Sequence, residues 1–129
     1  MSRKLYATSK KLASGTRLIG ILTENNGEYR FEYKLDGKVQ KWFLVIKEFP
    51  DVTQVYTGEV VKKFVDCFVP ERDHWGIDDY LEQAGLSEYD EWELLKFLGP
   101  RGIRSGNFFL HESLPEGVIV FEKLETPET

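Results

Sequence analysis

The sequence predicts an α+β fold in which strands come first, helices fill the middle and strands return at the end. Three observations predict it. Residues 28–34 (EYRFEYK) alternate Tyr29, Phe31 and Tyr33 with charged side chains, the period of two of a strand with one wet face. Val60, Val61, Phe64, Val65 and Phe68 share one stripe of a helix. Residues 107–111 (NFFLH) and 118–122 (VIVFE) are short aromatic and β-branched runs on either side of Pro115-Glu116-Gly117.

The elements follow in order. Residues 16–23 (TRLIGILT) are rich in aliphatic and β-branched side chains and read as the first strand. Glu24-Asn25-Asn26-Gly27 is a turn cluster ending in Asn-Gly, a strong hairpin signal, and residues 28–34 form the second strand. Asp36-Gly37 makes another tight turn, and residues 38–47 (KVQKWFLVIK) complete a three-stranded meander. Thr57 is placed to cap a helix over residues 58–68, which Pro70 ends. After the polar loop 69–74 (VPERDH), Asp73 offers a cap for a second helix over residues 75–84, closed by Gly85. Ser87 begins a third: Ser87-Glu88-Tyr89-Asp90 is a capping box with Asp in place of Glu. It runs to Leu98 with Trp92, Leu95 and Leu98 inward, and Gly99-Pro100 stops it. The order β-β-β-α-α-α-β-β makes a five-stranded antiparallel sheet with a helical insertion, either open or curled into a small barrel capped by the helices.

The 129 residues are enough for one domain with an ordinary core. Residues 16–124 are expected to form it, with residues 1–15 a basic flexible arm and residues 125–129 a frayed tail. Hydrophobic residues at 41% and charged residues at 30% are those of a globular protein. The net charge of −5 disfavours direct binding to nucleic acid. Within it, residues 1–23 hold Arg3, Lys4, Lys10, Lys11 and Arg17 and no acid, leaving 12 bases against 22 acids elsewhere. Cys67 is the single cysteine, so no internal disulfide forms, and a reducing cytoplasm is the expected location. No apolar run is long enough to span a membrane, and MSRKLYATSKK lacks the apolar stretch of a signal peptide.

The search for catalytic chemistry returns little. There is no phosphate-binding glycine loop, no His-Glu-x-x-His and no Gly-x-Ser-x-Gly elbow. Gly102-Ile103-Arg104-Ser105-Gly106 runs from helix to strand, the reverse of a Walker loop, and reads as a connector whose Arg101 and Arg104 face an acidic partner. Cys67 with His74 is a formal nucleophile–base pair, but Cys67 lies beside the buried stripe and reads as a small apolar residue. His74 with Asp73, Asp78, Asp79 and Glu82 is a formal metal set, but those acids read as the wet face of a helix. No catalytic residue, metal or cofactor is therefore expected. Aromatic residues are plentiful and most fill the core: Phe31, Phe64, Phe68, Phe109 and Phe121 at inward positions, and Trp42 and Trp92 at the core or its edge. Trp75 follows a polar loop at a helix start and reads either as an interface anchor or as a staple closing the helix entry.

Three blocks resemble the N-terminal subdomain of the HipA toxin kinases. They are IGILTENNGEYRFEY at 19–33, VVKKFVDCFVPE at 60–71 and YDEWELLKFLG at 89–99, and the likeness spans roughly residues 16–122. The sequence departs from the family in WFLVIKEFP, which lacks the family's serines, in the tight Asp-Gly turn before it, and in GPRGIRSG, which is two residues longer and lacks an Asp. The chain carries none of the kinase residues that follow this subdomain in HipA. The resemblance therefore implies a non-catalytic role like that of HipS-like antitoxins of three-component (HipBST-type) systems. Such a protein is expected to bind and neutralise a HipA-like (HipT-like) Ser/Thr kinase toxin, with a HipB-like DNA-binding protein in the same complex. The expected contact is the 70–76 loop, with Trp75 as anchor beside His74, and with Glu71 and Asp73 pairing with basic kinase residues. Three other readings remain open: a small α+β module that binds a ligand or forms a homodimer, a DNA-binding regulator using the basic segment from Arg3 to Arg17, and, last, a small enzyme, for which no pair of titratable residues has motif support.

Overall fold

The computed structural model describes residues 2–12, 15–34, 46–101, 108–114 and 119–120. Its strands are β1 (Ser2–Leu12), β2 (Gly15–Asn25), β3 (Glu28–Tyr33), β4 (Val55–Thr57), β5 (Phe108–His111) and β6 (Ile119–Val120). Its helices are α1 (Glu59–Asp66), α2 (Ile77–Ala84) and α3 (Glu91–Leu98), the last followed by a 3-10 turn at Gly99–Arg101. Five strands pair antiparallel in the order β4-β3-β2-β1-β5, and β6 lies parallel to β2. The path ends on β4 and β5 at opposite edges, so the α+β fold stands with an open sheet rather than a barrel.

The hairpin of β2 and β3 forms where the Asn-Gly signal lies. Asn25 pairs with Glu28, leaving Asn26 and Gly27 as a two-residue turn with φ of 54° and 87°. Both residue types tolerate that left-handed backbone, and its twist matches that of the strands. Tyr29, Phe31 and Tyr33 are buried as their alternation requires. Gly20 lies beneath this face; a Cβ there would stand 2.5 Å from Phe31 Cζ and 2.7 Å from the Glu32 carbonyl oxygen.

Of the flexible arm expected over residues 1–15, Ser2–Leu12 form β1, which lies between β2 and β5 in the sheet. Leu5 and Ala7 are fully buried, and the register slips after Ala7 so that Thr8 and Ser9 are buried as well. Arg3 is exposed but partnered. Its Nε donates to Glu24 Oε1 at 3.0 Å, and its guanidinium stands 5.1 Å from the centre of the Trp92 ring. Glu24 Oε2 accepts from Gly27 N–H at 2.8 Å, so one buried carboxylate ties β1 to the hairpin turn. A charged start therefore belongs to the sheet: Leu5 and Ala7 are buried, and Arg3 is paired with Glu24.

Most of the expected strand over residues 38–47, and Trp42 with it, lies outside the described residues; at its end, Ile46 and Lys47 are not in a strand. The strand found beside β3 is β4, paired from Arg30–Thr57 to Glu32–Val55. Thr57 therefore ends a strand and does not cap α1, whose N-cap is Gly58. Likewise α2 starts after Gly76, not at Trp75, and Asp73 makes no cap bond to it. Gly85 closes α2 in the left-handed conformation, as expected. For α3 the cap is Asp90 rather than Ser87: its extended backbone lets the carboxylate accept from Glu93 N–H at 3.1 Å. The two terminal strands do not form a hairpin with each other. β5 pairs with β1 over Tyr6–Ser9, and β6 pairs with Arg17 and Leu18 of β2, the part of β2 that lies before its ladder with β3 starts at Gly20.

The core fills the space between sheet and helices. Phe31, Phe49, Phe64 and Phe68 form a chain of rings with successive centroids 4.8, 5.3 and 5.3 Å apart. The Tyr33 hydroxyl is buried among them, donating to Phe49 O at 2.6 Å and accepting from Ile46 N–H at 2.9 Å. Trp92, Leu94 and Leu95 bring α3 onto the same core and Leu98 is buried too, while Phe109 is only half-buried and Phe121 lies outside the described residues.

Candidate functional site

Residues 71–90, which hold the loop before α2 and α2 itself, carry seven acids against one base, Arg72. That excess exceeds the net charge of the whole chain, so this lobe is the acidic pole of the molecule. α2 packs its apolar face on the core only partly: Ile77, Tyr80, Leu81 and Ala84 are half-buried, and no residue of the helix is fully buried.

The loop ahead of α2 is fastened at several points. Pro70 is buried, and its carbonyl accepts from the Tyr89 hydroxyl at 2.9 Å. The Arg72 guanidinium lies over the same Tyr89 ring at 4.8 Å. His74 N–H donates to Glu71 O, and Ile77 N–H donates to His74 O, each at 3.0 Å. Gly76 N–H donates to His74 Nδ1 at 3.0 Å, so the ring that makes this bond carries its hydrogen on Nε2. The His74 ring meets Tyr80 edge-on at 6.0 Å and stacks on Trp75 at 5.6 Å with an interplanar angle of 21°.

Trp75 itself is 93% exposed. It is not a staple, since Ile77, Tyr80 and Leu81 supply the apolar contacts of the helix entry. Isolated apolar side chains on a surface are common; here a whole indole is presented on a fastened loop next to Glu71 and Asp73. Glu71 and Asp73 are exposed on either side of Arg72, and His74 is half-buried beneath the indole. The structure thus brings Glu71, Asp73, His74 and Trp75 together. Arg101 is elsewhere: it stacks over Phe97 at 4.3 Å, beyond the C-terminal end of α3, whereas Tyr89 stands before its N-terminus. An eight-residue helix puts about 12 Å between those ends. Arg104 lies outside the described residues.

The formal chemical pairs do not assemble. Cys67 Sγ lies 3.5 Å from Lys63 O and 3.9 Å from Glu48 Oε2, contacts made within and beside its own helix. Among the described residues no three His, Cys, Asp or Glu side chains form a metal-sized cluster. Among them too, no helix is long and apolar enough to cross a membrane.

A second feature was not legible in the sequence. A groove of about 890 Å³ opens beside the β2–β3 turn, lined by Tyr29, Arg30, Thr57, Gly58, Lys62 and Glu91 among others. Lys62 Nζ bridges Asp66 Oδ1 at 2.7 Å and Glu91 Oε2 at 2.9 Å, and the Tyr29 hydroxyl donates to Glu91 Oε1 at 2.7 Å. Burial, then the bond to Glu91, keeps the Tyr29 phenol protonated well above its ordinary range. Burial works against the charge on Lys62, but the carboxylates of Asp66 and Glu91 outweigh it and hold the ammonium charged. Neither group is a free base or nucleophile at neutral pH; together they clamp α1, α3 and β3. Only the i,i+4 pair Lys62–Asp66 could be found from sequence spacing.

A family model described as HipA N-terminal domain matches residues 11–103, well over half of the chain. No curated protein and no solved structure matches it.

Proposed function

The chain belongs to the HipA N-terminal domain family, and from that premise we propose that it is a non-catalytic, HipS-like antitoxin that binds and neutralises a HipA-like Ser/Thr kinase toxin in the cytoplasm. The observation that carries this reading is Trp75, a whole indole held out of the fold on a fastened, acidic loop. Such a feature adds nothing to folding and suits the pocket of a protein partner. In this reading the indole enters an apolar pocket at the kinase cleft, where nucleotide and substrate must pass. Glu71 and Asp73 then face basic residues at its rim, and the acidic lobe speeds encounter with a basic surface. Occupation of the cleft blocks access or holds the kinase lobes apart. Arg101, about a helix length away, serves a second contact, and a HipB-like DNA-binding protein completes the assembly. The DNA-binding alternative has to act from a sheet strand rather than a free arm, since Ser2–Leu12 form β1 and Arg3 pairs with Glu24.

The test is affinity purification of the tagged chain from its native cells, with mass spectrometry of its partners and a kinase assay with and without the chain. Recovery of a HipA-like kinase whose activity falls on adding the chain is the expected result. A chain that runs alone as a homodimer and leaves every recovered kinase unaffected refutes the antitoxin role.

A further inference from the structure

We propose that His74 is a positioning residue that pre-organises Trp75 for docking, a role that rests on the reading of Trp75 as the anchor. Three contacts converge on this one ring. Gly76 N–H donates to its Nδ1 at 3.0 Å, the Tyr80 ring meets it edge-on at 6.0 Å, and the indole of Trp75 stacks on it at 5.6 Å. The bond from residue 76 back to the side chain of residue 74 has the connectivity of an Asx-turn, with an imidazole nitrogen in the place of a carboxamide oxygen. It fixes the backbone on both sides of Trp75. The Tyr80 contact anchors the ring to α2, so the surface on which the indole rests does not drift.

An exposed indole without such a support samples several rotamers, and each binding event must select one of them. When only a fraction of molecules presents the competent rotamer, the apparent affinity falls by that fraction. The indole of Trp75 is 93% exposed and finds its described ring contact on His74 alone, so that ring is what restricts it. His74 thus acts before contact with the partner is made. Its loss lowers the association rate, whereas loss of a side chain that touches the partner raises the dissociation rate.

Two measurements separate these roles. The first needs no partner: the chain is labelled with 5-fluorotryptophan, and the Trp75 resonance is assigned with Trp75→Phe. In His74→Ala this resonance is expected to sharpen and move toward that of the free amino acid, while the Trp92 resonance stays in place. His74→Asn, which restores an acceptor for Gly76 N–H, is expected to give an intermediate shift. The second is stopped-flow binding to the kinase recovered with the wild-type chain. Association is expected to slow about fivefold in His74→Ala with dissociation changed less than twofold, and His74→Asn is expected to recover part of the rate. An unmoved Trp75 resonance in His74→Ala overturns the proposal. So does a rise in dissociation rate with association intact, which would make His74 a direct contact. If the wild-type chain binds no kinase, the antitoxin reading falls, and the fluorine resonance alone still decides whether His74 holds the indole.

Discussion

Replacing Trp75 with Ala separates binding from folding. The side chain is 93% exposed, so almost all of its surface is still available to a partner. A Trp buries about 150–250 Å² on docking, and at about 25 cal/mol per Å² this sets an upper bound of about 4–6 kcal/mol. Ordering the side chain and incomplete burial reduce that figure, and measured anchors of this kind cost about 2–4 kcal/mol on truncation. Under the proposed function, the expected loss in affinity for the kinase is therefore about 30- to 1,000-fold. The same exposure means that folding loses almost nothing, because only the stack on His74 is removed and surface changes stay within about 0.5 kcal/mol. The assay is a titration of the kinase by calorimetry beside a urea melt of each chain alone. A Kd within threefold of the wild type, with the melt unchanged, would refute the anchor assignment. A melt shifted by more than about 1 kcal/mol would refute the separation of binding from folding.

The fold itself makes three more predictions. Tyr33→Phe removes a buried hydroxyl that serves both Phe49 O and Ile46 N–H, and leaving those two groups unpaired is expected to cost about 2–4 kcal/mol in a denaturant melt; a loss under 0.5 kcal/mol would mean that neither bond matters. Leu5→Ala is expected to destabilise by about 2–4 kcal/mol, since the side chain is fully buried in a strand paired on both edges, whereas an arm in solvent would lose nothing. The Glu24 carboxyl is held below its ordinary value of 4.5, chiefly by the bond from Arg3 Nε and against the opposing effect of burial, with Gly27 N–H adding to the lowering. A depressed folded-state value means that its stabilisation is complete above about 4.5 and is lost as pH falls through the lower folded value. Melting temperature measured from pH 7 down to about 3 should therefore fall less steeply in Glu24→Gln than in the wild type; parallel curves would show that Glu24 is not linked to folding.

What was legible in the sequence was local. The alternation of Tyr29, Phe31 and Tyr33, the Asn26-Gly27 turn and the inward face of α3 fell where their periods placed them, as did the stripe of Val61, Phe64, Val65 and Phe68, with Val60 of the same stripe only half-buried. Each of these signals is complete within about ten residues, because backbone geometry repeats over two residues in a strand and 3.6 in a helix. The order of motifs along the chain was enough for the family resemblance as well, and it placed Glu71, Asp73, His74 and Trp75 in one loop.

What only the tertiary structure decided was which groups meet across the chain. β1 carried too few apolar residues to announce itself, and its bases read as a solvated arm. Its place in the sheet depends on Gly20, Leu22 and Glu24 from the next strand and on Leu110 from near the other end of the chain. The end strands pair with the first hairpin and not with each other for the same reason: a ladder partner is chosen by the edge that the rest of the sheet leaves open. The exposure of Trp75 is the functional case. Beside a helix start its sequence suits a staple and an anchor equally, and the choice falls to whichever apolar side chains reach the core first. Ile77, Tyr80 and Leu81 take those contacts, the His74 ring stacks beside the indole at 5.6 Å, and Trp75 is left facing solvent. Periodicity marks the inward face within a strand or helix, but a single side chain at a loop–helix junction has no period to read, so its burial is decided by the packing of the whole chain.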